Sequence, residues 1–135
     1  MHFTISENFE EDISDRLEKG VESEVAAKWI IQLVHALHHL HTHGFFHRDI
    51  DAGTVFVTSD DNLLIGNFRD MIEADQTDRT DGLIAGGSSP EFCECVVGRR
   101  KSYDMKHDVW MLGWLLFMIC NNNDRPFSLA DFTKE

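Results

Sequence analysis

From Val109 to Cys120 the chain runs VWMLGWLLFMIC, a dozen residues without one charged side chain. A helix built from them is apolar all the way round, a pattern that belongs in a core. It is also well short of the roughly 20 residues needed to cross a bilayer. The segment predicts a buried core helix near Lys106–Ile119, stopped by Asn121-Asn122-Asn123.

That helix needs partners, and 135 residues supply enough chain for one domain with one sizeable core, not for two. From Val21 to His43 the apolar residues Val25, Trp29, Ile30, Leu33, Val34, Leu37 and Leu40 recur at helical spacing, with Gly44 as the stop. Its Trp29, Leu33, Leu37 and Leu40 stripe is expected to be core. A shorter surface helix is expected over Phe9–Lys19, where Phe9, Ile13 and Leu17 are spaced by four and Gly20 follows. After Gly44 the period changes: Thr54-Val55-Phe56-Val57 and Leu63-Leu64-Ile65 flank the turn-forming Ser59-Asp60-Asp61-Asn62, which predicts a small hairpin. Arg69 to Ser89 is polar and aperiodic, a long loop of the kind that is usually functional or mobile.

Charge narrows the function classes. With 24 acidic against 12 basic residues, the formal charge of −12 repels nucleic-acid backbones and anionic membrane surfaces. Cys93, Cys95 and Cys120 make no even-numbered framework, and the first two stand too close for a metal knuckle or redox motif. The N-terminus has no basic start followed by an apolar run. An intracellular, cytoplasmic protein is expected. Six histidines lie between His35 and His47, and the pairs His35/His39 and His39/His43 have the i, i+4 spacing that can bind Zn²⁺. No acid or thiol joins them nearby on that helix, so a solvated His-rich face is expected and no metal site.

Four short motifs then stand in a telling order: His47-Arg48-Asp49, Asn67-Phe68-Arg69, Ser89-Pro90-Glu91 and Asp108-Val109-Trp110. HRDIDAGT at 47–54 resembles the protein-kinase catalytic loop H-R-D-L-x-x-x-N, NFR at 67–69 resembles D-F-G, and SPE at 89–91 resembles A-P-E. DVWMLG at 108–113 is similar to the start of the family's buried core helix. Each triplet alone is weak; their order and spacing together are specific. The resemblance runs from about Phe3, similar to the strand leading into the hinge, to Phe127. It implies an α+β, mainly α fold: the helical C-terminal lobe of a kinase with a short β-hairpin after the catalytic loop. Residues 1–135 would then be a partial kinase-like domain, from the hinge to just past the core helix, truncated at both ends.

The resemblance assigns Asp49 as the acceptor of the substrate's proton, His47 as a support of the loop, and Arg48 as the partner of a phosphate or carboxylate on the activation segment. It makes Asp108 a structural tie between loop and core helix, and Glu91 an acid that normally meets an arginine further along the family's fold. The two metal-binding positions are degenerate: the catalytic-loop Asn is Thr54 and the D-F-G Asp is the neutral Asn67. Mg²⁺ prefers charged oxygen. One lost charge about 4 Å from the metal forfeits on the order of 4 kcal/mol at an effective dielectric near 20, about a thousandfold in rate. Asp51 puts a further negative charge where the transferred phosphate would sit, and Arg69 replaces the flexible glycine of D-F-G. Gly86-Gly87 stand where the family's substrate-docking anchors are expected. Thr77, Thr80, Ser88 and Ser89 lie in the activation segment, where phosphorylation would meet Arg48.

The expected function is therefore a pseudokinase module that acts by binding another protein, with no cofactor. The alternatives are a kinase lobe completed by a second chain, with weak ATP and Mg²⁺ chemistry, or a structural subunit of a larger assembly. A stable protein partner or self-association is expected through Trp110, Trp114 and Phe117 on the core helix, with neither nucleic acid nor membrane involved.

Overall fold

The computed structural model describes residues 9, 11–81 and 87–126. Phe3, Gly86 and Phe127 lie outside the described residues. The first element is not the helix expected from Phe9. Glu11–Asp12 form a two-residue strand, β1, that pairs antiparallel with Val57 and Phe56. Only then does the helix α1, Ile13–Glu18, begin. Phe9 leaves the helical spacing to stack on Phe56, ring centroids 3.9 Å apart. Asp12 caps the helix by accepting from Asp15 N at 2.9 Å, a bond that satisfies one of the free N–H groups of the first turn. Nor is α1 confined to the surface, since Ile13 and Leu17 are buried.

The long helix α2 covers Ser23–Thr42 and buries Trp29, Leu33 and Leu37. Leu40 is only half-buried and Val34 is exposed, so the core stripe is narrower than the apolar pattern. Gly44, at φ +79°, turns the chain out of the helix into β2, Phe45–Phe46. The hairpin forms as expected from β3, Val55–Val57, and β4, Leu63–Ile65, giving a three-stranded sheet of order β1-β3-β4. α2 holds the hairpin turn by its side chains: Trp29 Nε1 donates to Asp61 O at 3.0 Å, and Gln32 bonds both the Asn62 side chain and Leu63 N.

The expected loop after Arg69 contains order. A 3₁₀ turn at Phe68–Asp70 leads to β5, Ile72–Glu73, which pairs antiparallel with β2. Further on, α3 spans Pro90–Val96, with Ser89 Oγ accepting from Phe92 N at 3.2 Å and Pro90 in the first turn. The helix α4, Lys106–Cys120, closes the fold and buries Met111, Leu112, Trp114, Leu115, Met118 and Ile119. These pack with Trp29, Leu33, Leu37, Ile13, Val55 and Val57 into one core, while Phe46, Ile72, Phe92, Cys95 and Tyr103 make a second, smaller one. Burying each such Leu or Met contributes roughly 1.5–3 kcal/mol. The architecture is mainly helical with two small antiparallel sheets, and among the described residues no helix is long and apolar enough to cross a membrane.

Candidate functional site

The site is built around a buried carboxylate at the start of α4. Asp108 is fully buried; its Oδ2 accepts from His47 N and from His41 Nε2, each at 2.8 Å, and its Oδ1 accepts from Arg48 N at 2.7 Å. Burial alone would raise the pKa of this acid, but the donors from His41, Arg48 and His47 together hold it below the ordinary carboxylate value. Arg48 sits at φ 69°, a left-handed conformation that a non-glycine side chain adopts at a cost. The bond from its N–H to Asp108 helps hold it there. His47 is buried as well, and its Nε2 lies 2.8 Å from Gly66 O, so it links the loop to the residue before Asn67.

Within this frame Asp49 is half-buried and meets Asn67. The Asn67 side-chain amide donates to Asp49 Oδ2 at 2.7 Å, from a backbone at φ 56°, ψ 57°. Desolvation raises the Asp49 pKa, with Asp70 and Asp51 acting in the same direction, against the opposing effects of His47 and the Asn67 bond. Thr54 does not face the site as a ligand would. Its hydroxyl lies 2.7 Å from Asp49 O and 3.1 Å from Asp51 O as a donor, and accepts from Asp51 N at 3.0 Å, so it knits the loop backbone together. Asp49 keeps a place from which a carboxylate can accept a proton, while its neighbour at 67 offers an amide where a cation would need negative oxygen.

Arg48 reaches the activation segment. Its guanidinium donates to Asp70 O, Arg79 O and the Asp81 carboxylate, and lies over the rings of Phe92 and Tyr103. Tyr103 is buried and its hydroxyl is pushed up to about 12, first by burial. Beside it His107 is buried and stacks on Phe92, with its Nδ1 3.0 Å from Ser89 Oγ. Burial brings its pKa down to about 4. Ser89 is fully buried in this contact. A phosphate there would have to displace the cap of α3, so among the expected acceptors Thr77, Thr80 and Ser88 keep access and Ser89 does not.

The three residues expected at an interface separate. Trp110 and Phe117 are exposed at 39% and 41%, but Trp114 is 6% exposed and belongs to the main core. Its ring lies under Gly87, where a Cβ would come within 3.3 Å of it. A groove of about 570 Å³ is lined by Val109, Trp110, Gly113, Trp114, Phe117 and Pro126, with Glu91 and Lys106 as its charged members. Glu91 itself is exposed.

Four participants were not singled out by sequence reasoning: His41, Asp81, Tyr103 and His107. His41 corrects the expectation of a uniformly solvated histidine face, because its side chain is only 10% exposed and paired with Asp108. Its position on α2 beneath the catalytic loop was the available signal. The rings of His39 and His43 lie 4.2 Å apart, tilted at 42°, and His43 Nδ1 lies 2.8 Å from His39 O. Among the described residues no group of three or more His, Cys, Asp or Glu is placed to hold a metal ion.

Comparison with known proteins agrees with this geometry. The family model of the protein kinase domain matches residues 2–134. The chain is 33% identical over 95 residues to the serine/threonine-protein kinase Nek1 of Mus musculus, covering 68% of the chain and 8% of that protein. It is 32% identical over 111 residues to the CBL-interacting serine/threonine-protein kinase 2 of Arabidopsis thaliana, covering 80% of the chain and 24% of the relative. The CBL-interacting protein kinase 25 of Oryza sativa subsp. japonica is 32% identical over 109 residues, 80% of the chain and 21% of its own length. The chain thus spans less than a quarter of the length of these relatives.

Proposed function

Because this chain belongs to the protein kinase domain family, we propose that it is a catalytically impaired, pseudokinase-type module that acts by binding another protein. The observation that carries this reading is the 2.7 Å bond from the Asn67 amide to Asp49. It occupies the carboxylate that would accept the substrate's proton, and it puts two amide hydrogens where a Mg²⁺ ligand would be needed. Thr54, turned into its own loop, is withdrawn from metal binding, and Asp51, adding negative charge beside Asp49, weakens phosphate binding. What persists is the shape of the lobe: Asp108, His41 and His47 keep the loop in place without taking part in phosphate transfer. The exposed rings of Trp110 and Phe117 favour a protein partner, since apolar groups grouped on a surface commonly mark an interface.

Thermal melting of the chain with and without millimolar Mg-ATP tests the first half, because a ligand raises stability only through affinity for the native state. No shift is expected, and a clear upward shift overturns the reading. Co-purification from native extract, followed by loss of the recovered protein with Phe117→Ser, tests the second. A second reading, a kinase lobe working with a separate nucleotide-gripping chain, is favoured by the retention of Asp49 in a loop held by hydrogen bonds from Thr54 and to Asp108. Phosphate transfer that appears on adding such a chain, and vanishes in Asp49→Asn, would establish it instead.

A further inference from the structure

Arg99, Arg100 and Lys101 stand together, followed at once by Ser102. On a chain of formal charge −12, three adjacent positive side chains make a local field opposite in sign to that of the whole. All four residues are exposed. They lie in the connection between α3 and α4, which the chain enters through Gly98 at φ +74°. The strip is pinned at both ends. Arg99 N and Arg100 N donate to Glu94 O at 2.8 and 3.2 Å, and beyond Ser102 the N–H of the buried Tyr103 donates to Thr77 O at 3.1 Å. Between these pins Arg100 Nε donates to Ser102 O at 2.8 Å, which folds its guanidinium back onto the serine backbone. No other serine or threonine of the sequence has two arginines or lysines among the three residues before it. Thr77 stands near Asp75 and Asp78, Thr80 between Asp78 and Asp81, and Ser59 before Asp60, all in negative surroundings.

We propose that Ser102 is a phosphorylation site for a separate serine/threonine kinase with an acidic substrate cleft, which recognises it through Arg99 and Arg100. A guanidinium pairs with a carboxylate through two parallel N–H donors, so two arginines just ahead of a hydroxyl select an enzyme with carboxylates in that register. The modifying kinase brings ATP and Mg²⁺. Ser102 Oγ bonds to the γ-phosphorus, the bond from that phosphorus to the ADP oxygen breaks, and the hydroxyl proton passes to the enzyme's catalytic aspartate and then to water. Phosphoserine carries about −1.5 to −2 charges at neutral pH, which takes the run from three positive charges to about one. The Arg100 guanidinium, held at the same residue, offers further N–H donors to the new oxygens. Neither Asp49 nor Asn67 takes part, so the site is independent of whether this chain itself transfers phosphate.

The test incubates the full folded chain and Mg-ATP with a purified serine/threonine kinase that prefers arginine-rich substrates, in parallel with one that prefers acidic substrates and with no added enzyme. One phosphoryl group, mapped to Ser102 by tandem mass spectrometry, is expected with the first enzyme only. Ser102→Ala should abolish it and melt as the native chain does, since the position is exposed. Arg99→Ala leaves the Arg100–Ser102 bond in place and should lower kcat/KM for the modification about tenfold or more, with Arg99→Lys intermediate. A synthetic peptide of residues 96–106 presents the same side chains without the fold. Modification of the peptide but not of the folded chain would mean that the seating of Tyr103 keeps Ser102 out of reach, and overturns the proposal. So do equal modification by the acid-directed enzyme, an Arg99→Ala rate equal to the native one, and incorporation at Ser102 with no kinase added.

Discussion

Asn67 and Asp49 are joined by a bond that runs from amide to carboxylate, 2.7 Å long, across the mouth of the catalytic loop. In the family's pattern the first of these positions carries an acid that binds metal. Here an amide N–H of Asn67 meets one oxygen of the Asp49 carboxylate, one donor to one acceptor.

Asn67→Asp should reverse that condition. Two carboxylates at this distance repel by about 1 kcal/mol even at the dielectric of water, so the variant should melt lower than the native chain in metal-free buffer. Millimolar Mg²⁺ should recover part of the loss in the variant and do nothing for the native protein. Melting curves with and without the ion decide it; equal responses of the two proteins contradict the account.

Asp108→Ala should be among the most damaging single changes. It leaves His47 N, Arg48 N and His41 Nε2 without their acceptor inside the protein, at roughly 1–3 kcal/mol for each buried donor. A loss of about 3 kcal/mol or more is expected. Asp49→Ala, at a half-buried position with one side-chain bond, should cost under about 1 kcal/mol. Urea denaturation of the two variants side by side gives the comparison.

Acid should weaken the fold through His107. Its pKa is about 4 when folded, against 6.5 for an ordinary histidine, so the unfolded chain takes up its proton first. The stability this residue contributes is complete above about pH 6.5 and is lost as pH falls toward 4. By pH 5 the loss should reach about 2 kcal/mol. Asp108, depressed below the usual carboxylate value, adds its own loss only at lower pH. His107→Gln should flatten the change between pH 7 and pH 5 measured by denaturant titration, and an unchanged slope would discount the buried imidazole as its source.

The two tryptophans of α4 should part company. Trp114→Ala removes a ring from the main core and is expected to cost about 3–5 kcal/mol, while Trp110→Ala, at an exposed position, should cost under about 1 kcal/mol. Acrylamide should quench Trp110 and spare Trp29 and Trp114, which are 0% and 6% exposed. Chemical denaturation and quenching of single-tryptophan variants check both statements.

The elements legible from the residues were those with a repeating pattern long enough to see. α2 and α4 carry many apolar residues each, and the hairpin has β-prone runs on either side of a polar turn. The strands Phe45–Phe46 and Ile72–Glu73 are two residues long, and no period can be read from two residues. α3 is barely two turns, announced only by Ser89 and Pro90. Phe9 fitted a helical spacing, yet stacking on Phe56 from the neighbouring hairpin took precedence. At the site, the motifs marked His47, Arg48, Asp49, Asn67 and Asp108. They could not mark His41, which meets Asp108 across 67 positions of chain, or Asp81, which meets Arg48 across 33. Contacts of that range are set by how α2, the loop and α4 stack, and no local pattern encodes them.

The three donors gathered by Asp108 bear on how motifs should be weighed in sequences of this kind. Two of them are backbone N–H groups of His47 and Arg48, and the third is a histidine outside the triplet. A His-Arg-Asp run followed much later by Asp-x-Trp is therefore partly the signature of a hub that anchors a turn, a structural task distinct from any reaction performed above it. Of the three letters, two answer to architecture in this chain, through Gly66 and through the segment ending at Asp81. The triplet by itself therefore reports the hub as much as the chemistry, and the residue opposite Asp49 carries information that the triplet does not.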